Sequence, residues 1–325
     1  MPLPAASLHY PHERVLLRRT RLAYVHLRNL LTDAKRDRAA RVFGYVAVWL
    51  PEEHLLLYMQ EGEVVNATAS PDGQHFRALA ISEAVAMVPS AAEIGEICFH
   101  ECDDEQLATM YWSQLHEPVA WPAELNVHDA PAVLGFLLAT MHDGVVEVRA
   151  QGGLNYGVVR EGGVVRGFFA EDGVGTAEAR LAVLLAAPRG ASPARLFPVP
   201  PPVPVQAAPA LIHAYRELMS GVVRRLVSLG VESAPAVAEH ARRLLAERHP
   251  VLERFALSDP HPRDPVTETG ALSAAVGSWL GELLWTAAPP DGTTPGRLIG
   301  GLAHDRRHMF QSAGLVDALP WKVEW

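Results

Sequence analysis

Thirty residues beginning at Gly44, GYVAVWLPEEHLLLYMQEGEVVNATASPDG, align without a gap with thirty beginning at Gly144, GVVEVRAQGGLNYGVVREGGVVRGFFAEDG. Nine positions are identical: Gly44/Gly144, Val46/Val146, Val48/Val148, Glu61/Glu161, Gly62/Gly162, Val64/Val164, Val65/Val165, Asp72/Asp172 and Gly73/Gly173. About two would coincide by chance at ordinary residue usage. What recurs is turn-forming glycine and strand-filling valine, the residues two copies of one fold keep. A duplicated active site should keep His, Asp, Cys or Ser, and of these only the Asp72/Asp172 pair recurs. The repeat therefore points to architecture before chemistry.

The likeness extends on both sides of the aligned block. Leu27 to Ala34 and Pro131 to Met141 carry apolar residues at helix spacing. Strands are expected at Tyr45 to Leu50, Leu55 to Gln60 and Glu63 to Ala67, and again at Val145 to Ala150, Leu154 to Arg160 and Gly163 to Phe169. Glu-Gly at 61–62 and 161–162 makes the tight hairpin between the last two of each set. Alanine-rich helices are expected over His75 to Val88 and Thr176 to Ala187, then a short strand containing Phe99 or Phe197. A further helix follows each strand, with Leu107 and Tyr111 matching Leu211 and Tyr215.

The segment FPVPPPVPVQAAP, Phe197 to Pro209, lacks the N–H donors a sheet or helix needs and reads as a stiff polyproline linker. Beyond it the period is helical. Leu211, Tyr215, Leu218, Val222, Leu226 and Leu229 form one stripe closed by Gly230. Ser233 is the expected cap of a second helix ending at His249. A third runs from about Thr269 to Ala287, and a fourth from Thr294 and Pro295 to near Gly314. The expected fold class is α+β: two tandem helix/β-meander units, 1–125 and 126–197, a linker at 198–209, and a helical domain at 210–325.

The order of features resembles the bacterial PATAN-type domain, once of unknown function. The likeness rests on a helix, a Gly-x-Val-x-Val strand, the hairpin, QEGEVVNATAS, an Asp-Gly before an alanine-rich helix, and GEICFHE. The second copy departs from it, with Gly167 in the place of Ala67 and ARLFPVP in the place of the last glycine-aromatic strand. The helices beyond residue 210 lie outside the resemblance. It implies a non-catalytic protein-interaction module in bacterial signalling, surface motility or pilus control, and it carries over no catalytic residue.

Composition narrows the partner. The 325 residues are 49% hydrophobic with a net charge of -9, so no basic field favours nucleic acid. The opening MPLPAASLHYPHERVLLRRTR lacks the charged start and apolar core of a signal peptide. The longest apolar stretch, Ala271 to Ala288, is interrupted by Glu282 and falls short of the roughly twenty residues of a membrane span. A cytoplasmic protein is expected, its only cysteines, Cys98 and Cys102, reduced.

No catalytic set, cofactor site or metal centre is expected. His304 and His308 lie at i and i+4 on the fourth expected helix, the pair best spaced for a metal, but a site needs more ligands and no pattern singles out His261 or Asp305 as the third. The same segment faintly resembles a histidine phosphotransfer motif, with Arg307 and Gly314 after His304, but His308 fills the place where that motif has glycine. His100, Glu101, Cys102, Asp103, Asp104 and Glu105 gather at a strand end. Neighbours on a strand diverge, so the acidic run reads as the first turn of a helix. Gly277 and Gly281 mark close helix packing beside Trp279 and Trp285, and Trp321 and Trp325 stand in the tail LPWKVEW. These four tryptophans are the candidate contact residues. The reading is a non-enzymatic adaptor whose partner is a bacterial signalling or motility protein. The alternatives are phosphotransfer or metal binding at His304, and self-assembly into a homo-oligomer through strand edges.

Overall fold

The computed structural model describes residues 8–36, 42–88, 94–150, 152–186, 194–259 and 261–325. Residue 187, the expected end of one alanine-rich helix, and the opening residues 1–7 lie outside these. The chain is mixed α+β with two antiparallel sheets. It divides into one unit of residues 1–79 with 84–203 and a second of 80–83 with 204–325.

Up to residue 115 the chain runs β1 (Arg14–Arg21), α1 (Leu27–Arg36), β2 (Gly44–Trp49), β3 (His54–Gln60), β4 (Glu63–Ser70), β5 (Arg77–Leu79), α2 (Ile81–Met87, its first three residues counted with the second unit), β6 (Glu96–Glu101) and α3 (Asp104–Leu115). It continues through α4 (Ala130–Ala139), β7 (Gly144–Ala150), β8 (Gly153–Arg160), β9 (Gly163–Phe168), α5 (Ala177–Leu185) and β10 (Arg195–Phe197). One sheet has the order β1-β6-β2-β3-β4-β5 and the other β10-β7-β8-β9.

The inner four strands of the first sheet and the four of the second share order and register. Gly44 pairs with Met59 and Trp49 with His54; Gly144 pairs with Val159 and Arg149 with Leu154. A bulge falls between Tyr58 and Met59 and again between Val158 and Val159. Backbone sterics explain why the glycines recur. Glu61 and Gly62 have φ of 50° and 80°, and Glu161 and Gly162 of 49° and 79°, the left-handed pair a type I′ hairpin demands. A Cβ on Gly62 would lie 2.5 Å from the Ala34 carbonyl oxygen, and one on Gly162 2.6 Å from that of Leu137. At the strand starts, a Cβ on Gly44 or Gly144 would run into the carbonyl oxygen of His100 or Phe197.

That last pair corrects an alignment. Phe99 sits opposite Val46, whereas Phe197 sits opposite Val145, so Phe197 holds the place of His100. The two phenylalanines accordingly face different cores. Two further elements differ from expectation. Residues 77–79 are strand, not helix, because Ala67–Ala69 offer an open edge and the backbone of Arg77–Leu79 pairs with it. Strand β1, which the arginine-rich sequence RVLLRRTR gave no sign of, adds to the far side of β6.

Side chains alternate across each strand. Val46, Val48, Leu55 and Leu57 form a core with helix α1, and Val146, Val148 and Val159 one with α4 and α5. The inner faces meet in a shared core of Tyr45, Ala47, Trp49, Leu56 and Tyr58 from the first sheet and Val145, Leu154, Tyr156 and Val158 from the second, with Leu107 and Met110 of α3. Asp103 caps α3 by accepting from the Gln106 amide, and Asp104 and Glu105 fill its first turn, as the acidic run suggests.

The second unit is helical: α6 (Pro209–Ser228), α7 (Ala234–Ala246), a 3-10 turn (Pro250–Phe255), α8 (Thr269–Thr286), α9 (Pro295–Ala303), a 3-10 turn (His304–Arg306), α10 (Arg307–Ser312) and α11 (Leu315–Ala318). Thr294 caps α9 as expected, but Ser233 makes no side-chain cap bond to α7. The fully buried Trp279 donates from its indole to the Ala238 carbonyl at 2.8 Å. The tail lies along α9, whose Gly296 and Gly300 leave room for the carbonyls of Lys322 and Glu324. The Glu324 amide donates to the Gly296 carbonyl at 3.1 Å. No helix among the described residues is long and apolar enough to cross a membrane.

Candidate functional site

Strand β7, GVVEVRA, turns Val146 and Val148 toward α4 and α5, so its other face presents Val145, Glu147 and Arg149 inward. Antiparallel pairing sets Arg195 of β10 directly opposite Glu147. Glu147 is 1% exposed. Its Oε1 accepts from Arg149 Nε at 3.2 Å and from Arg195 Nη1 at 3.3 Å. The two guanidiniums are held further by backbone: Arg149 Nη1 donates to the Gly73 carbonyl at 3.2 Å, and Arg195 Nη2 to that of Ser113 at 3.0 Å.

Arg149 and Arg195 form one wall of a cavity of about 410 Å³, completed by Gln74, His75 and Phe76 after β4 and by Gln114 to Pro118 at and beyond the end of α3. Gln114 is fixed by its oxygen, which accepts from Tyr58 at 2.6 Å and Thr68 at 3.1 Å. Its Nε2, Arg149 Nη2 and Glu147 Oε2 are buried without a hydrogen-bond partner among the described residues. An unmet buried polar group costs on the order of 1–3 kcal/mol. Two permanent cations against one buried carboxylate leave the wall positive. At the mouth, exposed His75 hydrogen-bonds to Asp72 at 2.6 Å, and His116 stacks on Trp112 with centroids 3.4 Å apart. The wall can hold an acceptor-bearing anion.

The groups best suited to covalent or acid-base work lie elsewhere and are sealed. Burial pushes the Cys98 thiol up to about 12, and burial, with Asp103 next, raises Cys102 as well. Neither is a nucleophile near neutrality. His54 is buried with Tyr10 stacked on it and the Tyr10 hydroxyl 2.6 Å from Nε2. Burial, then the Arg19 charge, lowers it to about 3. The second strand, expected from Leu55, begins one residue earlier, with His54 as the first position of β3.

The residues singled out in the sequence fall apart in space. His304 closes α9 and opens the 3-10 turn, while His308 belongs to α10, so the continuous helix that would align them is broken. Both are exposed, and no group of three metal-ligating side chains converges among the described residues. Gly277 packs against Ala318 and Gly281 against Pro320. Of the four tryptophans, Trp279 is wholly inside the helical core, so its indole has no surface to offer a partner. Trp321 and Trp325 are half-buried against that core, and only Trp285 stands out, 83% exposed. The tail packs because glycines on α9 admit its backbone. Of the six repeat glycines, Gly73 is left-handed at 71° and Gly173 packs against the Arg180 guanidinium.

The charged trio Glu147, Arg149 and Arg195 escaped the sequence reading. In GVVEVRA the charges read as the solvent face of a strand, and only register reveals that both faces are covered. No family model, curated protein or solved structure matches the chain.

Proposed function

We propose that the protein is a non-enzymatic cytoplasmic adaptor or regulator in bacterial signalling or in surface-motility and pilus control. In this reading, two tandem PATAN-like units precede a helical domain that contacts the partner. The shared register, bulge and hairpin geometry of the two sheets support the tandem units.

The observation that carries the adaptor reading is Trp285. Helix α8 buries Trp279 completely and leaves Trp285, six residues on, outside the core. An exposed tryptophan is costly to leave in water, and tryptophan leads the residues that dominate interface energetics. The sealed cysteines and His54 point the same way, since the groups most able to react are withheld from solvent.

The test is affinity capture of the full chain from its own cells, wild type beside Trp285→Ala. A partner recovered with the wild type and lost with the variant is the expected outcome. Recovery of the chain alone from both would overturn the reading. Self-assembly has one observation of its own. Strand β4 is covered along its outer edge by β5, but β9 ends its sheet with Val165 exposed. Sedimentation that shifts with concentration, and stops shifting in Val165→Lys, is the result that would favour it.

A further inference from the structure

The matched registers of the two sheets make every inner position comparable, and one corner differs in kind. Where the second sheet places Glu147, Arg149 and Arg195, the first places Ala47, Trp49 and Cys98, with Ala47 opposite Cys98 as Glu147 is opposite Arg195. All three residues of the first sheet are buried in the shared core. The frame therefore packs this corner with apolar side chains. Buried charge is seldom an improvement in stability over apolar packing, so packing alone does not account for the trio.

Three features define what it would hold. The positive charge is local to the wall, where two guanidiniums stand against the one Glu147 carboxylate, while Asp72 and exposed Glu117 carry negative charge at the mouth. The guanidinium side chains are the part of the wall that reaches the cavity, 15% exposed at Arg149 and 26% at Arg195, whereas the unpartnered Arg149 Nη2 and Gln114 Nε2 are sealed from solvent. The volume of about 410 Å³ falls in the range of small-molecule sites, roughly 300–1,000 Å³.

We propose that this cavity binds a small organic oxyanion, a carboxylate or phosphate compound, with Arg149 and Arg195 as its charge partners. Both guanidiniums are pinned by the Gly73 and Ser113 carbonyls, so the charges are ordered before the ligand arrives. The guanidinium charge attracts either oxyanion, while N–H groups of both forks donate to Glu147 and to the Gly73 and Ser113 carbonyls. Phe76 and the His116 ring supply flat walls for the rest of the ligand. Because Arg149 also bonds Gly73, occupancy acts on a contact that joins the loop after β4 to β7. The cavity and Trp285 belong to different units, so either inference can fail without the other.

The experiment is calorimetric titration of the full chain with inorganic phosphate, pyrophosphate and succinate at matched ionic strength. It uses wild type, Arg149→Gln and Gln74→Glu. Saturable one-to-one binding of at least one probe is expected. Pyrophosphate or phosphate alone marks a phosphate ligand and succinate alone a carboxylate. Arg149→Gln should weaken binding on the order of tenfold or more by removing a charge-assisted pair. Gln74→Glu changes only an exposed side chain at the mouth, keeps the fold, and should weaken binding about threefold by adding negative charge. No heat with any probe at millimolar concentration, or affinity unchanged in Gln74→Glu and in folded Arg149→Gln, would overturn the proposal.

Discussion

The two sheets of the first unit share their inner frame and differ in how it is finished. The first is extended on both sides, by β1 beyond β6 and β5 beyond β4, whereas the second ends on β10 and β9. The first fills its inner corner with Ala47, Trp49 and Cys98 and buries His54 and, in part, His100. The second puts charges at that corner and carries Leu154 and Phe197 where the histidines stand. The positions that agree are those where backbone sterics leave no choice. The positions that diverge face the shared core, where one sheet can lose apolar area as long as the other supplies it.

The widest break in the comparison comes from Glu147→Ala. It leaves two guanidiniums without their buried carboxylate and should cost about 3–5 kcal/mol by urea denaturation. Adding Arg149→Trp and Arg195→Cys, which copies the first sheet's corner, should recover most of that loss. If the triple variant stays as unstable as the single one, the two corners are not equivalent.

A second contrast is pH. The His54 pKa is lowered from 6.5 to about 3, and that of His100 to about 4 by burial and then by His12 and His9. As pH falls below 6.5 the unfolded chain takes up protons that the folded one refuses. Stability is therefore full above that value and lost across the window down to about 3 for His54 and about 4 for His100. Each contributes about 1.4 kcal/mol per pH unit inside its window, so His54 alone should remove about 3 kcal/mol between pH 6.5 and 4. His54→Leu, which installs the residue of the second sheet, should flatten that slope by about half. An unchanged slope would place the acid sensitivity elsewhere.

The hairpins should sharpen the likeness. Gly62→Ala and Gly162→Ala each force a Cβ into a left-handed turn and against a helix carbonyl, and each should cost about 2 kcal/mol. Thermal melts of the two variants should agree, and a wide disparity would deny the turns a common role. The smallest effect belongs outside both sheets: Trp285→Ala should move stability by less than about 0.5 kcal/mol, since the side chain meets little.

The sequence carried the meanders clearly because glycine at Gly62 and Gly162 and valine at Val46 and Val146 answer to local backbone demands. It hid β1 and β5, whose existence depends on edges offered by distant residues. It hid the charged corner for the same reason, since Glu147 and Arg149 alternate with valines as an exposed strand face would. His304 and His308 looked aligned because nothing in GLAHDRRHMF announces the 3-10 turn at His304–Arg306. The tail looked free because Gly296 and Gly300 pass for ordinary helix glycines.

That tail has a bearing on recognition by the helical unit. Residues 321–325 already occupy the groove that Gly296 and Gly300 open on α9, with the Thr294 hydroxyl donating to the Glu324 carboxylate at 2.7 Å. A short tether keeps such a segment at an effective concentration on the order of millimolar. Any outside strand seeking the same groove meets a resident competitor, and its apparent affinity there is its intrinsic affinity discounted by the work of evicting residues 321–325.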